Sequence, residues 1–199
     1  MKRIKNNQGF TLIELLAVII ILGVIMTIAI PNVISTLDKN KRDSFLKDAK
    51  RAITSAEYTI RSETRYEYPD ASSVVIFPLS ELKNMDLDVS PFDTYYSPKY
   101  SFVAITKEKE GEYYEYKYYV HLVSCTDHEC ENEEDNSVSK NRGINLAKEE
   151  DLEASGRYEL VVKGDDVNLD YLRDSNHAEL ISYFERALNV SQVNIVVYD

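Results

Sequence analysis

One carboxylate, Glu14, stands inside a run of 21 residues, 10–30, that holds no other charge. An ionised carboxylate in lipid costs at least a few kcal/mol, so one that is kept there calls for a named partner. A main-chain amine can supply it. If the peptide bond after Gly9 is cut, Phe10 gains a free α-amine about one helical turn from Glu14, with an ordinary pKa of about 8. In a staggered row of parallel helices, Glu14 of one copy meets the Phe10 amine of the next. Two charges that are each costly in an apolar medium then cancel, and the helix dipole further favours an acid in the first turns.

The second constellation is Cys125-Thr126-Asp127-His128-Glu129-Cys130, which contains both cysteines of the chain. Two thiolates, His128 and a carboxylate could hold zinc, but the spacing lacks the paired-cysteine pattern of structural zinc sites. On the oxidising side of a membrane the spacing points instead to a disulfide between Cys125 and Cys130. No metal or other cofactor is expected, and residues 131–135 lack the patterned ligands of a calcium loop. His121, His128 and His177 sit in no recognisable nucleophile motif. The acids follow the pattern of a solvated surface, so no catalytic residue is assigned and the chain is read as a non-enzyme. Asn189-Val190-Ser191 fits a glycosylation acceptor pattern that is common by chance.

Both constellations depend on where the chain lies. At 1.5 Å per residue, a helix over residues 10–30 reaches roughly 30 Å and spans one bilayer once. Lys2, Arg3 and Lys5 precede it without an acid, which keeps the N-terminus cytoplasmic and sends everything after Ile30 across. Three other readings compete. A cleaved secretory signal ending near Thr27-Ile28-Ala29 would have a shorter apolar region and no carboxylate. A plain single-span anchor leaves Glu14 unexplained, and a buried core helix would need more apolar cover than the acidic remainder offers.

The stretch Lys5-Asn6-Asn7-Gln8-Gly9-Phe10-Thr11-Leu12-Ile13-Glu14-Leu15-Leu16, with its apolar continuation and Pro31, resembles the class III signal and N-terminal helix of type IV pilins and pseudopilins. The resemblance is close over about 35 residues and extends in outline to about Arg65. It implies a leader, residues 1–9, removed after Gly9 by a prepilin peptidase that then N-methylates Phe10. It also implies that Glu14 neutralises the amine during assembly and that Pro31 occupies the family's helix-kinking position. Gly23 is a second weak point, since glycine costs about 1 kcal/mol in a helix interior. The implied partners are other copies, other pilins in a helical filament, the pilus assembly machinery and, before assembly, the cytoplasmic membrane. The implied location is a single-pass membrane protein that becomes part of an extracellular pilus. A pseudopilin of a secretion or DNA-uptake system shares the same logic, and a single-span anchored binding protein is the rival of a different class.

Beyond Ile30, Leu46, Ala49, Ile53, Ala56 and Ile60 recur at helical spacing, which predicts that the helix continues over residues 31–65 and lays one face on a sheet. Residues 38–51 sum to +3 through Lys39, Lys41, Arg42, Lys47, Lys50 and Arg51, whereas residues 52–199 sum to −16. This basic collar has two readings: a solvated face near headgroups, or a contact with the acidic head of a neighbouring copy. The full chain carries −11, and loss of the leader's three cations leaves −14. That charge disfavours direct nucleic-acid binding.

Residues 66–98 read as a proline-punctuated connection with a short helix near residues 80–85. A hairpin over residues 100–107 and 112–124 follows, turning at Glu110-Gly111. Tyr114, Tyr116, Tyr118, Val120 and Leu122 are expected to face the helix, with the alternate residues in water. Residues 157–163 are a third strand candidate, residues 176–188 a helix capped by Asn176, and residues 193–198 a last strand. The expected fold is α+β and type IV pilin-like: a long N-terminal helix on an antiparallel sheet of about four strands, with an additional C-terminal helix. Its head spans residues 66–199.

Overall fold

The structure, a computed structural model, describes residues 11–82, 85, 87, 89–127, 130, 142–154, 157–172 and 177–198. It divides into two units, Met1–Asn40 and Lys41–Asp199. One helix, α1 (Leu12–Ser62), belongs to both and contains Pro31 in its interior. In the first unit every residue from 12 to 37 is exposed, so this half of α1 has no core of its own.

The second unit is built on the other half of α1. Leu46, Ala49, Ile53, Ala56 and Ile60 are all buried, as their spacing predicts, and Phe45 and Ala52 join them. The small alanines let the helix backbone approach the sheet closely, while Phe45 fills the gap between Phe92 and Tyr96, with ring centroids at 6.1 and 5.2 Å. The helix ends at Ser62, a few residues before the expected Arg65. Tyr66 then packs on Phe77 and on Tyr198 at 4.9 and 4.7 Å, tying the helix exit to the C-terminal strand.

After α1 come β1 (Ser73–Pro78), β2 (Tyr95–Tyr96), β3 (Phe102–Glu110), β4 (Tyr113–Cys125), β5 (Arg142–Lys148), α2 (Glu149–Glu153), β6 (Val161–Lys163), α3 (Ala178–Leu188) and β7 (Asn194–Val197). The sheet order is β6-β5-β4-β3-β1-β7, with β2 also paired to β4. All pairs are antiparallel except β1 with β7, which run parallel. The fold is thus the expected α+β arrangement, on a mixed and larger sheet than the sequence suggested.

Helices cover both faces of this sheet. Val75, Phe77, Val103, Ile105, Tyr118, Val120 and Leu122 face α1, whereas Val74, Ile76, Phe102, Ala104 and Tyr119 pack with Leu180 and Phe184 of α3. Four expectations are corrected. The connection over residues 66–98 contains β1, whose Val74-Val75-Ile76-Phe77 run shows no alternation because both its faces are buried. The alternate residues of β4 meet water only at its start: Glu115 is exposed and Lys117 half-buried, but Tyr119 and His121 are buried, Tyr119 beneath α3. Residues 157–160 form a 3-10 turn, leaving only Val161–Lys163 as strand. The short helix expected near residues 80–85 is a single 3-10 turn, Leu79–Glu81. Asn176 lies outside the described residues, and His177 precedes α3.

Two glycines are fixed by geometry. Gly111 turns the β3–β4 hairpin at φ +64°, a left-handed conformation that glycine adopts without a Cβ penalty. At Gly143 in β5, a Cβ would lie 2.7 Å from both methyls of Val167. Opposite the bulge between Val120 and Leu122, Asn145 donates a hydrogen bond to the Asp166 carbonyl and accepts one from the Asn168 N–H at 2.6 Å.

His121 lies between the Phe102 and Tyr171 rings, at 5.1 and 5.0 Å, and is 1% exposed. Neither ring nitrogen makes a hydrogen bond of good geometry. Burial pulls its pKa down to about 4, although the nearby backbone of Ile144 and Asn168 acts in the opposite direction. The unfolded chain, with an ordinary value near 6.5, therefore binds the proton first. The stability that neutral His121 contributes is complete above about pH 6.5 and falls as the pH drops toward 4, by about 3 kcal/mol in all. Urea midpoints measured across this range should fall more steeply for the natural chain than for His121→Leu. Parallel curves would remove His121 from the account.

Candidate functional site

The chemistry-bearing end of the chain begins at Thr11. The Thr11 N–H and hydroxyl both donate to Glu14 Oε2, at 2.7 and 2.8 Å, and the Glu14 N–H donates back to Thr11 Oγ1 at 3.4 Å. This is a reciprocal capping box, which satisfies donors that the first turn of a helix leaves open. It was legible in Thr11-x-x-Glu14 and was missed, because the carboxylate drew attention to a partner on another chain. Gly9 and Phe10 lie outside the described residues. The pairing of Glu14 with a Phe10 amine thus meets a local competitor, Thr11.

Further along, the few polar side chains of the apolar segment return their hydrogen bonds to the same helix. Thr27 Oγ1 donates to the Gly23 carbonyl at 2.9 Å, Asn32 Nδ2 to Ile28 at 3.3 Å and Thr36 Oγ1 to Asn32 at 2.8 Å. Such bonds let hydroxyl and amide groups enter lipid at low cost. Pro31 has no N–H, so the Thr27 carbonyl loses its usual helical donor. The most apolar 18-residue window has a mean hydropathy of 2.9 and no buried residue. A contiguous apolar surface of this length marks an interaction site with membrane or protein.

Four cations of the basic collar find partners within the chain itself. Lys41 pairs with Asp93 at 3.3 Å, Lys50 with Glu153 at 3.6 Å and Arg51 with Asp48 at 3.3 Å, while Arg42 donates to the Val161 carbonyl at 2.9 Å. These cations serve their own head, and exposed pairs of this kind contribute little to stability.

Cys125 and Cys130 form a disulfide, as their spacing predicts. Their sulfurs pack with Tyr100, Val123 and Val167 in a small third core. Among the described residues no group of three His, Cys, Asp or Glu side chains could hold a metal; His128 and Glu129 lie outside them. Asn189 caps the end of α3 in the left-handed conformation, with its N–H directed at the Arg186 and Glu185 carbonyls, a role that favours glycine or asparagine.

A membrane-capable helix, self-capped at its start and continued into an α+β head with helices on both faces of its sheet, defines a class of helix-and-head protein. Within that class, residues 4–30 match the family model of the prokaryotic N-terminal methylation motif. This motif is the class III signal diagnostic of type IV pilin-family proteins, and it supports a pilin-like or pseudopilin substrate of prepilin peptidase. No curated protein and no solved structure matches the chain.

Proposed function

We propose that the chain is a structural subunit of a type IV pilus. It is made as a precursor, cut after Gly9, N-methylated on Phe10 and held as a single-pass protein of the cytoplasmic membrane until it enters an extracellular filament. Residues 10–30 polymerise there, with Glu14 set against the Phe10 amine of the adjacent copy and Pro31 at the flexible point of the helix. The observation that carries this reading is the coincidence of the methylation motif at residues 4–30 with a helix exposed throughout its apolar length. A pseudopilin would share every one of these steps, whereas an anchored binding protein would share none after insertion.

Intact-mass analysis of the mature protein separates these classes. Loss of residues 1–9 with one added methyl group on Phe10 is expected; a chain that keeps Met1 would point to the anchor.

A further inference from the structure

Only part of α3 is used by the core. Leu180 and Phe184 enter the second layer, whereas Glu179, Ser182, Tyr183 and Arg186 fall at positions i, i+3, i+4 and i+7 of the helix and therefore share a different stripe. Tyr171, from the 3-10 turn Asp170–Leu172, joins them. Together they line an open hollow of about 320 Å³, at the small end of the range for ligand sites.

Its aromatic walls are held in place from beneath. Tyr171 meets the buried rings of Phe102 and His121 edge-on, at 6.3 and 5.0 Å, and Tyr183 meets Tyr119 and Phe184 edge-on, at 6.1 and 5.2 Å. Both tyrosines stay half-buried, so part of each remains open to a ligand.

The polar groups are held as well. Arg186 Nε donates to the Ser182 carbonyl at 3.0 Å, which orients the guanidinium and leaves its Nη fork unused. Among the described residues no carboxylate pairs with it, in a chain of net charge −11. Glu179 Oε2 accepts a hydrogen bond from Asn168 Nδ2, and the Asn168 N–H is itself anchored to Asn145 Oδ1 at 2.6 Å. Oε1 of Glu179 remains as an acceptor.

We propose that this hollow binds a carboxylated sugar, a hexuronate or sialate unit of an acidic glycan. A pyranose ring offers C–H bonds on one face and hydroxyls around its edge, which suits fixed tyrosine surface bordered by donors and an acceptor. The Nη fork of Arg186 matches a carboxylate through two parallel hydrogen bonds. Glu179 Oε1 and the Ser182 hydroxyl then take the ring hydroxyls. Glu179 also selects against other anions: it repels a doubly charged phosphate more than a carboxylate, and an acidic peptide that reached Arg186 would bring further carboxylates toward it. The site lies wholly in the head and does not depend on the filament reading.

Saturation-transfer NMR on the detergent-solubilised full-length chain tests this with the methyl glycosides of galacturonic, glucuronic and N-acetylneuraminic acid, each beside its methyl ester. At least one acid is expected to bind with a dissociation constant of about 1 mM, with saturation strongest on its ring C–H protons. Its ester should bind at least about tenfold more weakly. Arg186→Gln, an exposed position, should weaken the acid by about the same factor, whereas Arg51→Gln, at a cation of α1 paired with Asp48, should leave binding unchanged. Any one of four results would overturn the site: no saturable binding of the three acids up to about 10 mM, equal binding of acid and ester, undiminished binding by Arg186→Gln, or a pentaglutamate peptide that binds as tightly as the sugars.

Discussion

Replacing Glu14 by alanine is expected to lower the filament-borne fraction of the chain at least about tenfold, while export and cleavage after Gly9 continue. Tenfold corresponds to about 1.4 kcal/mol, well within the few kcal/mol that separate a paired from an unpaired charge in lipid. Alanine removes two things at once, because Glu14 also closes the capping box with Thr11. Glutamine separates them. A Glu14→Gln chain keeps the N3 side chain that a capping box accepts but loses the charge, and it should assemble as poorly as the alanine variant. Thr11→Ala does the reverse, costing about 1 kcal/mol of helix stability while leaving the carboxylate. It should assemble far better than either Glu14 variant. Quantifying sheared filaments against processed chain in the membrane reads out all three. Full assembly of Glu14→Gln would reduce the residue to a helix cap.

The second large effect concerns the head. Phe45 is fully buried between α1 and the loop and strand that carry Phe92 and Tyr96. Phe45→Ala leaves a cavity where helix and sheet meet, and should destabilise the head by about 3–5 kcal/mol. Tyr113, 76% exposed at the tip of the β3–β4 hairpin, should by contrast change stability by no more than about 0.5 kcal/mol when replaced by alanine. Urea denaturation of the detergent-solubilised chain, followed by far-ultraviolet circular dichroism, measures both. Equal midpoints would mean that Phe45 does not anchor the helix to the sheet.

What could be read from the sequence follows from how each element is buried. The long helix was legible because its second half buries only one face, so Leu46, Ala49, Ile53, Ala56 and Ile60 keep a clear helical period. β1 was not, because it is apolar on both faces, and a short unalternating run between prolines resembles a connection. The same physics misled the reading of β4. Its helix-facing residues were correctly assigned from Tyr118 to Leu122, but nothing local announces that α3 closes the other face over Tyr119 or that Tyr171 covers His121. Tyr114 and Tyr116 continue the same alternation past the edge of the core, and only the register of neighbouring strands reveals that they stand outside it, Tyr116 against Tyr68. β5 and the parallel pairing of β7 depend on contacts far apart in sequence.

At the candidate site the balance was different. The disulfide and the apolar helix were visible in residue type and spacing, since each depends on local chain geometry and compartment. The collar was not, because Asp93 and Glu153 reach Lys41 and Lys50 only after the chain has folded. The capping box is local and was available in Thr11-x-x-Glu14. It supplies the physical alternative against which the intermolecular role of Glu14 must be measured.

The distance that decides the matter can be read from electron cryo-microscopy of filaments sheared from cells expressing the natural chain. The account predicts that each Glu14 carboxylate lies within about 4 Å of the methylated amine of Phe10 on an adjacent copy. Filaments in which Glu14 remains bonded only to its own Thr11, with every neighbouring amine beyond that reach, would contradict it.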